Sequence, residues 1–212
     1  LEQSYMPLML ERVAYDTICH EHLEYYSLEQ ILWIAKKIGF KIINIEMNEV
    51  NGGSFSVILS NKNSNYKSCE DLISKYINLE EKKDLSNIKI YKNFSLAIKR
   101  SKEQLQKFIL QSQDDGKTIS GIGASTKGNV LLQYCNITSN QIRNIGDVNT
   151  EKLGKFTPGS WIPIISESKV LEENPDFLLV LPWHFKDFFI KNPKFKNRNL
   201  VFPLPNLEVI KI

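Results

Sequence analysis

The sequence predicts an α/β protein in two parts, the closing elements of one doubly wound sheet followed by a second α/β domain. Three observations carry this. Ile31, Leu32, Ile34, Ala35 and Ile38 recur at helical period between extended runs. Phe177-Leu-Leu-Val-Leu181 is a continuous apolar run of the kind found in strands buried on both faces. A glycine-rich turn, Gly121–Gly128, separates a strand pattern from a helix pattern.

Taken in order, Tyr15–Tyr26 carries β-branched and aromatic residues with imperfect alternation and reads as a strand end running into a loop. Ser27 and Gln30 have capping-box spacing, so a helix opens there, and Gly39 closes it. Phe40–Val50 and Ser54–Ser60 form two β-rich runs joined across Asn51-Gly52-Gly53, a hairpin signal. The polar stretch Asn61–Tyr66 marks a boundary, which divides the chain into 1–60 and 61–212. Helices are expected from Ser68 to Lys83, from Ser95 to Gln113, over Asn129–Cys135 and over Trp183–Ile190. Strands are expected at Thr118–Ile122, Ile142–Val148, Asp176–Leu181, Leu200–Phe202 and Leu207–Ile210.

Composition narrows the function classes. Apolar residues at 42% and charged ones at 24% fit a globular chain and exclude a disordered tail. The net charge of +3 is spread along the chain without a basic stripe, so nucleic acid is not an expected partner. No apolar stretch is long enough to span a membrane, and Leu1–Leu10 does not read as a signal peptide. Cys19, Cys69 and Cys135 are too scattered for a disulfide framework, which makes a cytoplasmic location the expectation. The apolar-rich start at Leu1 leads us to expect a fragment whose N-terminal neighbour is missing.

Four constellations can carry chemistry. In Cys19-His20-Glu21-His22, two of the chain's three histidines flank a carboxylate. Imidazole titrates near neutral pH, so a histidine beside an acid suits a general base. A metal site using Cys19, His20 and His22 is an alternative, although adjacent donors rarely close a tetrahedron alone; plain surface histidines are another. The second is Gly121-Ile-Gly123-Ala-Ser-Thr126-Lys127-Gly128-Asn129. Between a strand and a helix it could cradle a phosphate, with Lys127 adding charge, or be a ligand-free tight turn. It is not a Walker loop, and Thr126 at the third glycine position departs from the dinucleotide fingerprint. Asp147, ending the next strand, stands about where a ribose-binding acid belongs. The third constellation is the polar loop from Asp147 through Lys152, Gly154 and Thr157 to Gly159, and the fourth is Leu181-Pro-Trp183-His184-Phe185. Both leave buried strands at the edge where open sheets bind ligands, although Trp183 could equally be core.

Together these motifs resemble the nucleotide-sugar C-methyltransferases, S-adenosylmethionine-dependent enzymes of deoxysugar biosynthesis. The matching pieces run in family order from Glu2–Tyr5 through Tyr15–His22, Gly52-Gly53-Ser54, Gly123–Cys135 and Lys152–Ile164 to Pro175–Phe185. The resemblance implies the tail of a class I methyltransferase doubly wound sheet (1–60) followed by a Rossmann-like α/β C-terminal domain (61–212). It also implies that the glycine-rich S-adenosylmethionine loop and a small zinc-binding domain lie upstream, so that this piece should not methylate alone. Carried over residue by residue, His22 is the base removing the proton alpha to the sugar's keto group, and Glu21 is its companion. Cys19 stands where the family often has a tyrosine that orients the sugar, and Ser56 where an arginine commonly follows the Gly-Gly-Ser turn. The nucleotide-linked sugar is expected against Cys19, Gly123, Lys127, Asn129, Asp147, Lys152, Thr157 and His184. The roles of Lys127, Asp147 and His184 come from loop physics rather than from the family. Two other readings remain: a nucleotide-sugar-binding module without catalysis, and an NAD-linked oxidoreductase resting on Gly121, Gly123 and Asp147.

Overall fold

The computed structural model describes residues 1–49 and 52–212. Val50, expected to end the first extended run, and Asn51, expected in the hairpin turn, lie outside the described residues. By contact the chain forms two units, one of residues 1–14 and 20–96, the other of 15–19 and 97–212.

The first unit is built on a three-stranded sheet of order β1-β3-β2, with β1 at Glu2–Ser4, β2 at Phe40–Asn48 and β3 at Ser54–Asn61. The last strand runs antiparallel to both neighbours, as expected for the end of a doubly wound sheet. The opening strand is Glu2–Ser4, however, and the expected strand end at Tyr15–Tyr26 is absent. Tyr15–Thr17 forms a 3₁₀ turn instead, and Tyr26 makes a lone parallel bridge to Tyr5. Of the residues that mimicked a strand, Tyr15 and Thr17 are buried in this tight turn, while Ile18 is exposed and Tyr25 and Tyr26 are half-buried beyond it.

Helix α1 spans Met6–Glu11 and α2 spans Leu28–Lys37. The expected capping box opens α2, with the Ser27 amide donating to Gln30 Oε1 at 2.6 Å. Its buried face, Leu28, Ile31 and Ala35, packs on Ile42, Ile45, Phe55 and Val57 of the sheet. Helix α3 (Glu70–Lys82) adds Ile73 to this core. It also sends Glu80 to the start of α2, where the carboxylate accepts from the amides of Leu28 (2.6 Å) and Glu29 (3.1 Å) and from the Tyr5 hydroxyl (2.7 Å). Helix α4, Ile88–Asp114, begins earlier than Ser95 and carries the chain into the second unit.

The second unit holds a six-stranded sheet. Its strands are β4 (Ile119–Ile122), β5 (Ile145–Asp147), β6 (Ile164–Ser166), β7 (Phe177–Val180), β8 (Asn199–Phe202) and β9 (Glu208–Lys211). Their order is β6-β5-β4-β7-β8-β9, parallel except for β9. Helices α5 (Thr126–Tyr134), α6 (Glu167–Glu173) and α7 (Lys186–Lys191) join the strands. Numbered within this unit, the order is 3-2-1-4-5-6, the Rossmann arrangement. Of the apolar run expected to be buried on both faces, Leu178, Leu179 and Val180 are at 1% exposure or less, while Phe177 is half-buried. Strand β6 and helix α6 were not anticipated. Among the described residues no helix is long and apolar enough to cross a membrane.

Candidate functional site

In the second unit β4 and β7 are neighbours, and the chain leaves them in opposite directions along the sheet, toward β5 and toward β8. Such a switch point opens a crevice beyond the strands' carboxyl ends. The turns that leave the two strands there are tightly apposed. Gly123 has φ +83°, and a Cβ on it would lie 2.7 Å from Pro182 Cδ. A Cβ on Gly128, in the first turn of α5, would lie 2.9 Å from Leu181 Cβ. The glycine-rich turn is thus required for close approach of two backbones as well as for its conformation.

Asp147, at the end of β5, is 8% exposed and its carboxylate grips this turn. Oδ2 accepts from the Ala124 amide at 2.8 Å and from Lys152 Nζ at 3.3 Å, and Oδ1 accepts from the Asn149 amide at 2.8 Å. Lys152 also donates to the Ala124 carbonyl at 2.8 Å. The Ser125 amide donates to the Gly123 carbonyl, and the Ser125 hydroxyl caps α5 by accepting from the Gly128 amide at 3.0 Å. Donors expected to face a phosphate are therefore satisfied inside the loop at Ala124 and Ser125. Asn129 places a buried Oδ1 with no hydrogen-bond partner among the described residues. Thr157 is in a separate loop, where its hydroxyl lies 2.7 Å from the Ser160 hydroxyl and accepts from the Ile162 amide at 2.9 Å.

The structure brings Lys127, His184 and Cys19 together, and it adds Asp16, to which no site role was given from the sequence. The 3₁₀ turn Tyr15–Thr17 packs on α5 with all three residues buried. Asp16 Oδ2 accepts from the Trp183 indole at 2.8 Å, while Oδ1 is buried without a partner among the described residues. Burial pushes the Asp16 carboxyl above its ordinary range, opposed by the indole hydrogen bond and by the charge of Lys127. Burial likewise lowers the Lys127 ammonium, against the opposing pull of Asp16 and Cys19. His184 is held neutral, down to about 4, by burial first and then by the charge of Lys127, and its Nδ1 is also unpartnered among the described residues. Tyr15 closes the group from behind, its hydroxyl 3.4 Å from Cys135 Sγ and its ring 5.2 Å from that of Tyr134. Chemically the cluster offers a buried acceptor, an inward-facing cation and a neutral imidazole. The sequence signal for Asp16 was its place at the head of a motif whose histidines drew the attention.

His20, Glu21 and His22 belong to the first unit. His20 and Glu21 are exposed and His22 is half-buried, its ring stacked toward Tyr25 at 6.3 Å. Among the described residues no group of three or more His, Cys, Asp or Glu is arranged to hold a metal.

Residues 49–205 match the family model described as the C-methyltransferase C-terminal domain. The chain is similar to the C-methyltransferase NovU of Streptomyces niveus, at 29% identity over 213 aligned positions covering 99% of this chain. That alignment takes in 50% of the relative, so the chain spans about half the length of the curated protein it matches. On these grounds, and with its Rossmann-ordered sheet, the chain belongs to the C-methyltransferase C-terminal domain family.

Proposed function

We propose that the chain is the C-terminal portion of an S-adenosylmethionine-dependent C-methyltransferase acting on a nucleotide-linked keto-deoxysugar. The carrying observation is the run His20-Glu21-His22, two residues beyond the buried turn Tyr15–Thr17, in a chain whose later part matches the family model. In this reading residues 1–60 are the tail of the methyltransferase domain and 61–212 the C-terminal domain. His22 removes the proton from the carbon alpha to the sugar's keto group, leaving an enolate, and Glu21 orients the imidazole or the sugar.

S-adenosylmethionine supplies the methyl group. The first unit's three glycines, Gly39, Gly52 and Gly53, lie at a helix end and in a hairpin, not between a parallel strand and a helix. The first unit's described residues therefore do not build a cradle for that cofactor, and no step through it is assigned to this chain. A zinc-binding domain upstream belongs to the same reading.

For the sugar nucleotide, the reading uses Cys19, Lys127 and His184 as one group and Asp147 with Lys152 as the brace of the glycine-rich turn. Gly123 and Asn129 belong to that turn and the helix it opens, and Thr157, in its own loop, is kept in the reading from the sequence resemblance. Asp147 spends its carboxylate on Ala124, Asn149 and Lys152, which argues against a free ribose-binding acid and so against an NAD-linked oxidoreductase.

The test is methyl transfer by the intact polypeptide from S-adenosylmethionine to a dTDP-linked keto-deoxysugar, followed by mass spectrometry. His22→Asn is expected to abolish the mass gain while calorimetric affinity for the sugar nucleotide stays within about threefold. Turnover retained in that variant removes His22 as the base.

A further inference from the structure

Residues 15–19 pack with the second unit, whereas the chain on either side of them packs with the first. The excursion has a polar anchor. Asp16 is 1% exposed, and its one hydrogen-bonded carboxylate oxygen takes the indole N–H of Trp183, which is 6% exposed. Burying a carboxylate costs more than burying an apolar side chain of the same size, even beside a lysine. An apolar contact would hold the turn with less defined geometry, whereas a directional bond to a side chain elsewhere in the unit sets its orientation. Three covalent steps beyond Cys19 the chain reaches His22.

We propose that Asp16 and Trp183 are positioning residues. By gripping the turn 15–17, the Rossmann-like unit limits the conformations open to His20-Glu21-His22 and so contributes to proton removal without touching the substrate. The inference rests on the reading of His22 as the base.

The first readout is amide hydrogen exchange of this chain. Trp183→Phe keeps a ring and deletes the donor, and exchange at 15–19 is expected to speed up about tenfold or more. Asp16→Ala is expected to do the same, while Asp16→Asn, which keeps an acceptor, stays within about threefold of the parent. The second readout is turnover of the intact polypeptide. Trp183→Phe and Asp16→Ala are expected to lower kcat at least tenfold with KM for both substrates little changed, and Asp16→Asn is expected to restore most of it.

Unchanged exchange in both deletion variants overturns the anchor. Faster exchange with unchanged kcat overturns the positioning role, and a raised KM with unchanged kcat turns these residues into substrate contacts. A parent protein that transfers no methyl group overturns the reaction and the positioning claim together, and the exchange readout tells that failure from a failure of the anchor. Should Trp183→Phe not fold, the comparison of Asp16→Ala with Asp16→Asn decides alone.

Discussion

Gly123 faces Pro182 so closely that a single added carbon would sit 2.7 Å from the proline ring. The turn after β4 therefore depends on a bare backbone at the point where it meets the turn after β7. Gly123→Ala would force a left-handed φ on a residue with a side chain, costing about 1–2 kcal/mol, and would add an overpacking cost of about 1–3 kcal/mol. A loss of about 2–5 kcal/mol in denaturant unfolding is the expected outcome. A change below about 0.5 kcal/mol would mean that the two turns can part freely.

Glu80 acts as a cap supplied from another helix. Its carboxylate satisfies the amides of Leu28 and Glu29 and the Tyr5 hydroxyl at only 3% exposure. Glu80→Ala strands those donors and is expected to cost about 2–4 kcal/mol, summing a lost cap and a buried charged hydrogen bond. Glu80→Gln, which retains one acceptor, should lose about half as much. Equal stability of the two variants would show that the negative charge, and not the shape of the acceptor, holds α2.

Much of the fold was legible because its strands and helices announce themselves locally. Phe177–Leu181 is apolar throughout, and Ser27, Gln30 and Gly39 mark both ends of α2. What escaped was short or non-local. Strand β1 is three polar residues paired through their backbone to β3, and β6 is three residues following a proline. Helix α4 starts about two turns before Ser95, although Ser95 looks like a cap, because helical order already runs through Ile88–Phe94. In the site, Cys19, Lys127 and His184 were readable as motif members. Asp16 belongs to the same motif as Cys19, but its place in the site was not readable, because its partner Trp183 lies 167 residues away and no periodicity reports so distant a bond.

The pH dependence of stability should carry the mark of His184. Below about 6.5 the unfolded chain takes up a proton that the folded imidazole refuses until about 4, so acid favours unfolding across that window. Above it both states are neutral and the contribution is complete. Asp16 runs the other way. Its raised carboxyl binds a proton earlier in the folded state, so its contribution is lost as pH rises and regained on acidification. Between pH 6.5 and 4, His184→Asn is expected to lose less stability than the parent, by of order 1–2 kcal/mol once solvent screening of the half-buried ring is allowed for. Asp16→Asn is expected to lose more than the parent. Parallel curves for all three proteins would show that neither group titrates differently on folding.

Lys127 is 9% exposed and its charge acts on both Asp16 and His184. Lys127→Met removes the cation beside a buried carboxylate and is expected to cost about 3 kcal/mol or more. Against an Asp16→Asn background the same substitution strands no charge, so a double-mutant cycle should return a coupling of about 1–3 kcal/mol. Additive single effects would mean that Lys127 answers chiefly to other groups. The same variant offers a spectroscopic check. With the neighbouring cation gone, the His184 resonances should titrate above their parent midpoint of about 4, since Lys127 is the second cause of its depression. Burial, the larger cause, remains, so the midpoint should still fall short of an exposed histidine's. If both the coupling and this upward shift appear, Asp16, Lys127 and His184 behave as one electrostatic unit. Calorimetry on the Lys127 variant can then ask whether the nucleotide sugar meets that unit, with weaker binding as the expected result.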